Sequence, residues 1–373
     1  MNLSELFSKY LTEGKAPSGL KNKTIPLEVF LKNFIGGEDI DESEVEDFIR
    51  ARQSNEVDTY GNPVGSKEKH KVKKDVPLIH RSMIIDDDGN PLSMEEIAKI
   101  ISQRPSDIIG KNKKMEKSAD GKSVFYKVSL PPLMGLYYDE TAKELKMVKT
   151  CPGAGTCKQD CFARKGNAAQ YKNASQFQSK VLTFLMNDFE GFKNQLLSEI
   201  IEVALKNNSK GIKTIIRWHD TGDFFRNDYL KMGMEIARKT EDIGVLHYAY
   251  TKSIGMVQGV EKPKNFVFNY SQGGISDSKI KAEDKGAIIV PDVLFQDLMT
   301  KHKAGWTFNS EADMEELKQR LSKEYNLENV IVYGEMMSKP IGDTPKWNVI
   351  VYPGNGDNSA TRRDVVKTLL LKH

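Results

Sequence analysis

A chain of 373 residues is long enough for one large core, or for a large domain beside a small one. Its 55 basic and 52 acidic residues leave a net charge of +3, too balanced to argue by itself for nucleic-acid binding. No run of about 18 apolar residues occurs, and Met1 to Glu13 lacks the basic start, apolar stretch and cleavage site of a secretory signal. The protein is therefore expected to stay in the compartment where it is made, away from membranes.

In chain order, the spacing of Leu3, Leu6, Phe7, Tyr10 and Leu11 predicts a short amphipathic helix over 2–13. Further helices are expected at about 26–34 and 43–52. Residues 53–75 are polar and aperiodic, with Gly61-Asn62-Pro63 among them, and read as a linker. The basic runs Lys67 to Lys74 and Lys111 to Lys117 read as solvated loops. Asp86 to Pro91 forms a turn, after which Ser93 and Glu96 make a capping box at the start of a helix. From about 122 the pattern changes. Strands are expected at 124–130 and 145–150, then helices from about 173 to 207 with an interruption near Gly191. Strands at 213–218, 245–251, 265–271 and 286–290 alternate with helices at 226–239 and 292–302 and a short one after 251. Helix 311–325, strands 329–334 and 347–352, and helix 361–371 complete the reading.

Strands alternating with helices over some 230 residues imply α/β architecture with a parallel sheet. A partial or complete β/α barrel is the first expectation, and an open doubly wound sheet the second. The expected organisation is an N-terminal tail at 1–19, an accessory helical region at 20–121, and an α/β core at 122–373.

Only three cysteines occur, and all fall between Cys151 and Cys161 in a C-x5-C-x3-C pattern. A disulfide scaffold would spread an even number along the chain, so the cluster reads as thiolate ligands. Pro152, Gly153 and Gly155 let the backbone turn tightly enough for three sulfurs to converge. Thiolates hold zinc or iron–sulfur clusters. A structural zinc wants a fourth protein ligand. A four-iron cluster on three cysteines leaves one iron for a substrate or cofactor. Three reduced core cysteines with no ligand are the plain alternative.

Ligands of α/β folds sit at the C-terminal strand ends, which directs attention to five further segments. After Arg217-Trp218 come His219, Asp220, Thr221, Gly222 and Asp223. His219 is a candidate base, hydrogen-bond donor or fourth zinc ligand, or else a buried structural histidine. Asp223 is a candidate for holding an ammonium or a ribose hydroxyl, or else a helix N-cap. Lys252, closing His247 to Thr251, is placed to meet a carboxylate or phosphate, or is a surface lysine. Asn269 and Ser271 share one strand face ahead of Gly273-Gly274, which permits close backbone approach to a ligand. Glu335 is a weaker candidate at a later strand end, and Gly354 to Ser359 is a loop able to seat an anion on backbone amides. No P-loop, G-x-S-x-G or H-E-x-x-H occurs.

Cys151-Pro152-Gly153-Ala154-Gly155, Cys157 and Cys161-Phe162-Ala163 resemble the phage gene product 88 family. So do His219 to Phe224, Tyr248 to Lys252, and Gly356 to Arg362. The resemblance covers about 126–373 and brings no assigned activity. The order of strand, cysteine loop, helix, strand and Gly-Asp turn is also similar, more distantly, to radical S-adenosylmethionine enzymes, whose usual spacing is C-x3-C-x2-C. That likeness implies a [4Fe-4S] cluster on Cys151, Cys157 and Cys161, with S-adenosylmethionine held by residues such as Thr221, Gly222, Asp223, Asn269, Ser271 and Glu335. His219, Asp220, Asp223 and Lys252 would be the catalytic candidates. Leu11-Thr12-Glu13 resembles the site where phage prohead proteases cleave capsid-targeting peptides, against a plain surface helix.

Three readings result. One is an iron–sulfur enzyme of radical S-adenosylmethionine type, acting on a nucleotide, nucleic acid or protein in the cytoplasm of an infected bacterial host. Another is a zinc protein with Cys151, Cys157, Cys161 and His219 as ligands, structural, hydrolytic or nucleic-acid-binding. The third is a protein packaged inside the virion, structural or injected.

Overall fold

The computed structural model describes residues 42–55, 78–119, 121–158, 171–281 and 284–290, the single residues Asp58, Val64, Cys161 and Ala163, and strand segments at 330–332, 349–351 and 367–371. The helices expected at 2–13, 26–34, 292–302 and 311–325, the linker beyond 55 in the main, the first basic run, the Leu11-Thr12-Glu13 site, Glu335 and the loop 354–359 lie outside the described residues.

The chain enters with helix α1 (Glu42–Gln53), then α2 (Met94–Ile101). Ser93 accepts from the Glu96 amide while the Glu96 carboxylate takes the Ser93 amide, so the expected capping box forms. Asp86 closes the preceding turn by accepting from the Asn90 amide at 2.7 Å. Val45, Ile49, Ile97 and Ile101 pack with Met134, Leu136, Leu145 and Met147 in one apolar cluster. These last four come from β2 (Met134–Asp139) and β3 (Glu144–Lys149), an antiparallel hairpin.

The main sheet is parallel and eight-stranded. It contains β1 (Ser123–Val128), β4 (Lys213–Trp218), β5 (Leu246–Thr251), β6 (Phe266–Ser271), β7 (Gly286–Val290), β8 (Val330–Val332), β9 (Val349–Val351) and β10 (Lys367–Leu371). The order across the sheet is β1-β4-β5-β6-β7-β10-β9-β8. From β1 to β7 neighbours follow the chain; beyond β7 they return in reverse. Same-handed crossovers between successive neighbours place their helices on one face. That face packs Ile216, Trp218, Ala249, Phe266 and Phe268 against α4 (Lys172–Asn187), α5 (Phe189–Asn208) and α6 (Asn227–Lys239). It forms the main core. Among the described residues no helix is long and apolar enough to cross a membrane.

Four expectations are corrected. The break between α4 and α5 falls at Asp188, not Gly191. Asp188 accepts from the Gly191 amide at 2.8 Å as the N-cap, and its carboxylate fills the space a Cβ at 191 would need. The end of the chain expected as helix 361–371 is strand at Lys367–Leu371, lying between β7 and β9. An apolar run of this length does not distinguish helix from buried strand. The basic run from Lys111 is not all loop: Asn112 caps a short helix, α3 (Lys113–Ser118), which buries Met115 against Phe125, Ile215, Tyr248 and Val267. Finally, the cysteine loop follows the hairpin strand β3, not a strand of the sheet. The hairpin nonetheless returns the chain to where β1 ended. Thr150 donates its hydroxyl to the Pro131 carbonyl at 2.6 Å, and the Cys151 amide donates to the Leu133 carbonyl at 3.2 Å.

Candidate functional site

At the C-terminal ends of β1, β4, β5 and β6 the two faces of the sheet differ in character. Side chains alternate along a strand. On the face away from the main core, Phe125, Ile215, Tyr248 and Val267 form one apolar cluster, staggered across the strands because Ile215 stands opposite Leu246 and Arg217 opposite Tyr248. Two residues further along each strand come Lys127, Arg217, Tyr250 and Asn269, and then Ser129, Lys252 and Ser271. Arg217 lies with its guanidinium 5.3 Å from the Tyr250 ring centre, and the Asn269 amide donates to the Ala249 carbonyl at 3.2 Å. The row thus passes from apolar to polar towards the strand ends, where ligands of parallel sheets sit.

The cysteine loop is fastened to this edge by backbone contacts that only glycine allows. Gly155 and Cys157 both donate to the Gly273 carbonyl, at 3.0 and 3.1 Å, and Ile275 donates back to the Gly153 carbonyl at 3.0 Å. Ala154 and Gly274 form an antiparallel bridge. Gly273 sits at φ +91°, and Asp277 accepts from the Gly273 and Gly274 amides at 2.8 and 2.9 Å. A Cβ on Gly153 would stand 2.1 Å from the Lys252 carbonyl oxygen, a backbone atom that cannot swing aside. Gly153→Ala is therefore expected to lift the loop from the strand end. It should lower stability by about 1–3 kcal/mol in urea unfolding and speed alkylation of the cysteines.

The three thiols gather in one small apolar cluster. Cys151, Cys157 and Cys161 pack against Leu78, Leu133, Ala154 and Ala163. The Leu133 amide donates to the Cys151 sulfur at 3.2 Å. Burial pushes the Cys151 thiol well above its ordinary range, with Asp223 and the other two thiols adding to the shift. Burial also raises Cys157, while Lys252 draws it back. Without a counter-charge these sulfurs remain thiols; a bound cation would reverse that balance. Among the described residues no group of three or more His, Cys, Asp or Glu side chains converges on a metal position.

The segment after β4 is a buried junction. His219 adopts φ +63°, which L residues take only at some cost, and turns the chain sharply away from β4. Its ring is 2% exposed, packs edge-on to Phe224 at 4.6 Å, and shares a 2.9 Å hydrogen bond through Nε2 with the Tyr229 hydroxyl. Its Nδ1 is buried without a hydrogen-bond partner. Burial pulls the imidazole down to about 3, with Asp220 and Arg217 the nearby charges.

Asp220 points to the polar row, where it pairs with Lys127 and accepts from Ser129 and from Asn112, the latter at 3.1 Å. The Thr221 hydroxyl donates to the Leu130 carbonyl at 2.8 Å and accepts from Gln178 at 2.9 Å. Gly222, at φ +80°, lies where a Cβ would strike Leu130. Asp223 does not cap α6, which begins at Asn227. Its Oδ1 accepts from Thr251 and from the Phe224 amide, each at 2.7 Å, and its Oδ2 from the Lys252 amide at 2.8 Å. Its own amide donates to the Thr150 carbonyl at 2.9 Å. The aspartate thereby ties the β4 turn, the β5 end and the root of the cysteine loop into one joint. Burial nevertheless raises its pKa against the pull of these donors.

Lys252 and Ser271 meet directly, the ammonium donating to the hydroxyl at 2.6 Å. The structure therefore places the cysteine loop against the main chain of Lys252 and the turn at Asp223, and joins Lys252 to Ser271. Asp220 joins Lys127, and His219 joins Tyr229. Lys127, Ser129, Arg217, Tyr229 and Asp277 were not singled out from sequence. The first three become visible only when the strands are aligned and their alternation is read across the sheet.

A family model described as Gene product 88 matches residues 103–332, well over half of the chain. It starts before the cysteine loop and takes in all four strand ends described above, but stops short of Gly356 to Arg362. No curated protein and no solved structure matches the chain.

Proposed function

The chain belongs to the phage-associated Gene product 88 family, and on that footing we propose that it is a metalloprotein whose cysteine loop holds an iron–sulfur cluster at the C-terminal strand ends of its parallel sheet. The observation that carries this reading is a ligand count. Cys151, Cys157 and Cys161 pack on one apolar cluster, while the two donors singled out from sequence are engaged elsewhere. His219 bonds Tyr229 among aromatic rings, and both oxygens of Asp223 accept from Thr251, Phe224 and Lys252. Neither of these two is then a ready fourth donor. This suits a cluster with one iron left to a ligand better than a closed zinc site. The N–H···S bond from Leu133 to Cys151 is of the kind that tunes cluster thiolates. The cluster would supply electron transfer or ligand activation; the chain would place it beside Lys252 and the polar row and keep water from it.

S-adenosylmethionine as that ligand is the finer form of the proposal. Its support is the turn 221–223, joined through the Asp223 amide to Thr150 at the root of the loop. With its oxygens taken, Asp223 acts there as a positioning residue, and a methionine amine would be met by other groups. The test is iron, acid-labile sulfide and zinc analysis of anaerobically purified protein beside the Cys151→Ser/Cys157→Ser/Cys161→Ser variant. Iron with sulfide, lost in the variant, is the expected result. Stoichiometric zinc, or iron and sulfide unchanged in the variant, would overturn it.

A further inference from the structure

We propose that Lys252 is the anion-binding group of this site, and that the ligand taken beside the cysteines carries a carboxylate or phosphate whose oxygens pair with the Lys252 ammonium and the Ser271 hydroxyl. The inference rests on reading the cysteine loop and strand ends as one ligand-binding site, and adds the chemical class of what binds there. Lys252 is half-buried and, among the described residues, forms no salt bridge; its ammonium donates to Ser271 at 2.6 Å and acts at longer range on Asp223. An ammonium partly withdrawn from water without a direct carboxylate contact is costly, and one hydroxyl satisfies one of its three donors. The nearby carboxylate, Asp223, accepts the Lys252 backbone amide at 2.8 Å through one oxygen and Thr251 and Phe224 through the other.

The surrounding backbone is built to present this side chain. The Lys252 carbonyl lies where a Cβ on Gly153 would stand, and a Cβ on Gly274 would come within 3.3 Å of the Lys252 Cβ. The cysteine loop and the Gly273-Gly274 turn thus close on its main chain from two sides. Alternation along β5 places Lys252 in the row of Tyr248 and Tyr250, and the bond to Ser271 places its ammonium across the end of β6. Lys252 also acts electrostatically on Cys157, so an anion paired with it sits next to the thiols. Arg217 stands on the same face of the neighbouring strand β4, opposite Tyr248, while Lys127 on β1 is paired with Asp220.

The test is calorimetric titration of the full-length protein with inorganic phosphate and, separately, with acetate, comparing wild type with Lys252→Met, Lys252→Arg, Ser271→Ala and the exposed-site control Lys264→Gln. At least one anion is expected to bind. Lys252→Met should weaken binding at least ~10-fold, Ser271→Ala ~3-fold, while Lys252→Arg and Lys264→Gln stay within ~3-fold of wild type. Which anion binds more tightly separates a phosphate-bearing from a carboxylate-bearing ligand. Binding of neither anion, or unchanged binding in Lys252→Met, overturns the proposal. If Lys252→Met loses its far-ultraviolet circular dichroism, Ser271→Ala and Lys252→Arg decide by the same criteria. Metal analysis of the same samples keeps the two ideas apart. Anion binding through Lys252 without metal contradicts only the metal reading, and metal without anion binding contradicts only this one.

Discussion

Asp223→Ala is expected to be among the most damaging single substitutions in the chain, lowering stability by about 3–5 kcal/mol. The carboxylate is 4% exposed and accepts from the Thr251 hydroxyl and the amides of Phe224 and Lys252. Alanine leaves these three buried donors without an acceptor, and water has no ready path to replace it. Asp223→Asn keeps the shape and one acceptor oxygen, so its cost should be about half as large. Urea unfolding checks both values. A second readout separates the joint from a general loss of stability: the joint carries the Thr150 and Lys252 contacts, so the cysteines of Asp223→Asn should alkylate faster under conditions where the protein remains folded. An Asp223→Ala protein within about 0.5 kcal/mol of wild type would show that the carboxylate does not hold the strand ends together.

Mild acid is the second strong test, because two histidines are locked in the neutral form. Burial pulls both His219 and His247 down to about 3. At His247 the hydrogen bonds fix the tautomer: the Trp218 indole donates to Nδ1 at 3.1 Å, Nε2 meets the Thr240 hydroxyl at 2.8 Å, and that hydroxyl donates to the Ile236 carbonyl at 2.9 Å. A proton on Nδ1 would face the indole N–H. The unfolded chain takes up these protons near pH 6.5 and the folded chain only near pH 3. The stabilisation is therefore complete above pH 6.5 and is lost progressively as pH falls from there towards 3. Each histidine contributes a slope of about 1.4 kcal/mol per pH unit, so both together remove roughly 4 kcal/mol between pH 7 and 5. Asp223 works in the opposite direction, its raised pKa favouring the folded state slightly as pH falls. Urea unfolding at pH 7 and pH 5 measures the difference. In His247→Gln the pH dependence should fall to about half; an unchanged pH dependence would show that His247 is not held neutral by its burial.

The alternation of strands and helices was legible because each element from 213 to 271 has a period of its own, apolar in the strands and amphipathic in α6. The hairpin was less so. β2 reads Met134-Gly135-Leu136-Tyr137-Tyr138, with no two-residue alternation, because its first four residues are buried on both faces, between α2 and α4. That omission made the cysteine loop look like the exit of a sheet strand, when it leaves a hairpin whose base lies against the end of β1. β10 was misread for a related reason: a strand paired on both sides with parallel neighbours needs no polar face, and so carries no periodic signal.

That the three cysteines lie in one loop was legible from spacing alone, and that Lys252, Asn269 and Ser271 lie at strand ends from the strand pattern. The roles of the His219 to Asp223 segment were not. Sequence offers a polar cluster after a strand. Only the fold shows that Thr221 and Asp223 have their oxygens turned to neighbouring backbone and side chains, that Gly222 is there for want of room beside Leu130, and that Asp220 faces Lys127. Lys127 and Arg217 went unmarked because an isolated cation in a strand says nothing until the register with its neighbour, Lys127 opposite Arg217, is known.

The central claim, that Cys151, Cys157 and Cys161 together ligate a metal centre, is tested most directly by X-ray absorption at the metal edge on anaerobically purified full-length protein. The expected spectrum shows sulfur scatterers at about 2.3 Å whose number drops in Cys157→Ser, with an iron–iron distance marking the cluster. A metal surrounded only by nitrogen and oxygen, or sulfur coordination unaltered by Cys157→Ser, would contradict it.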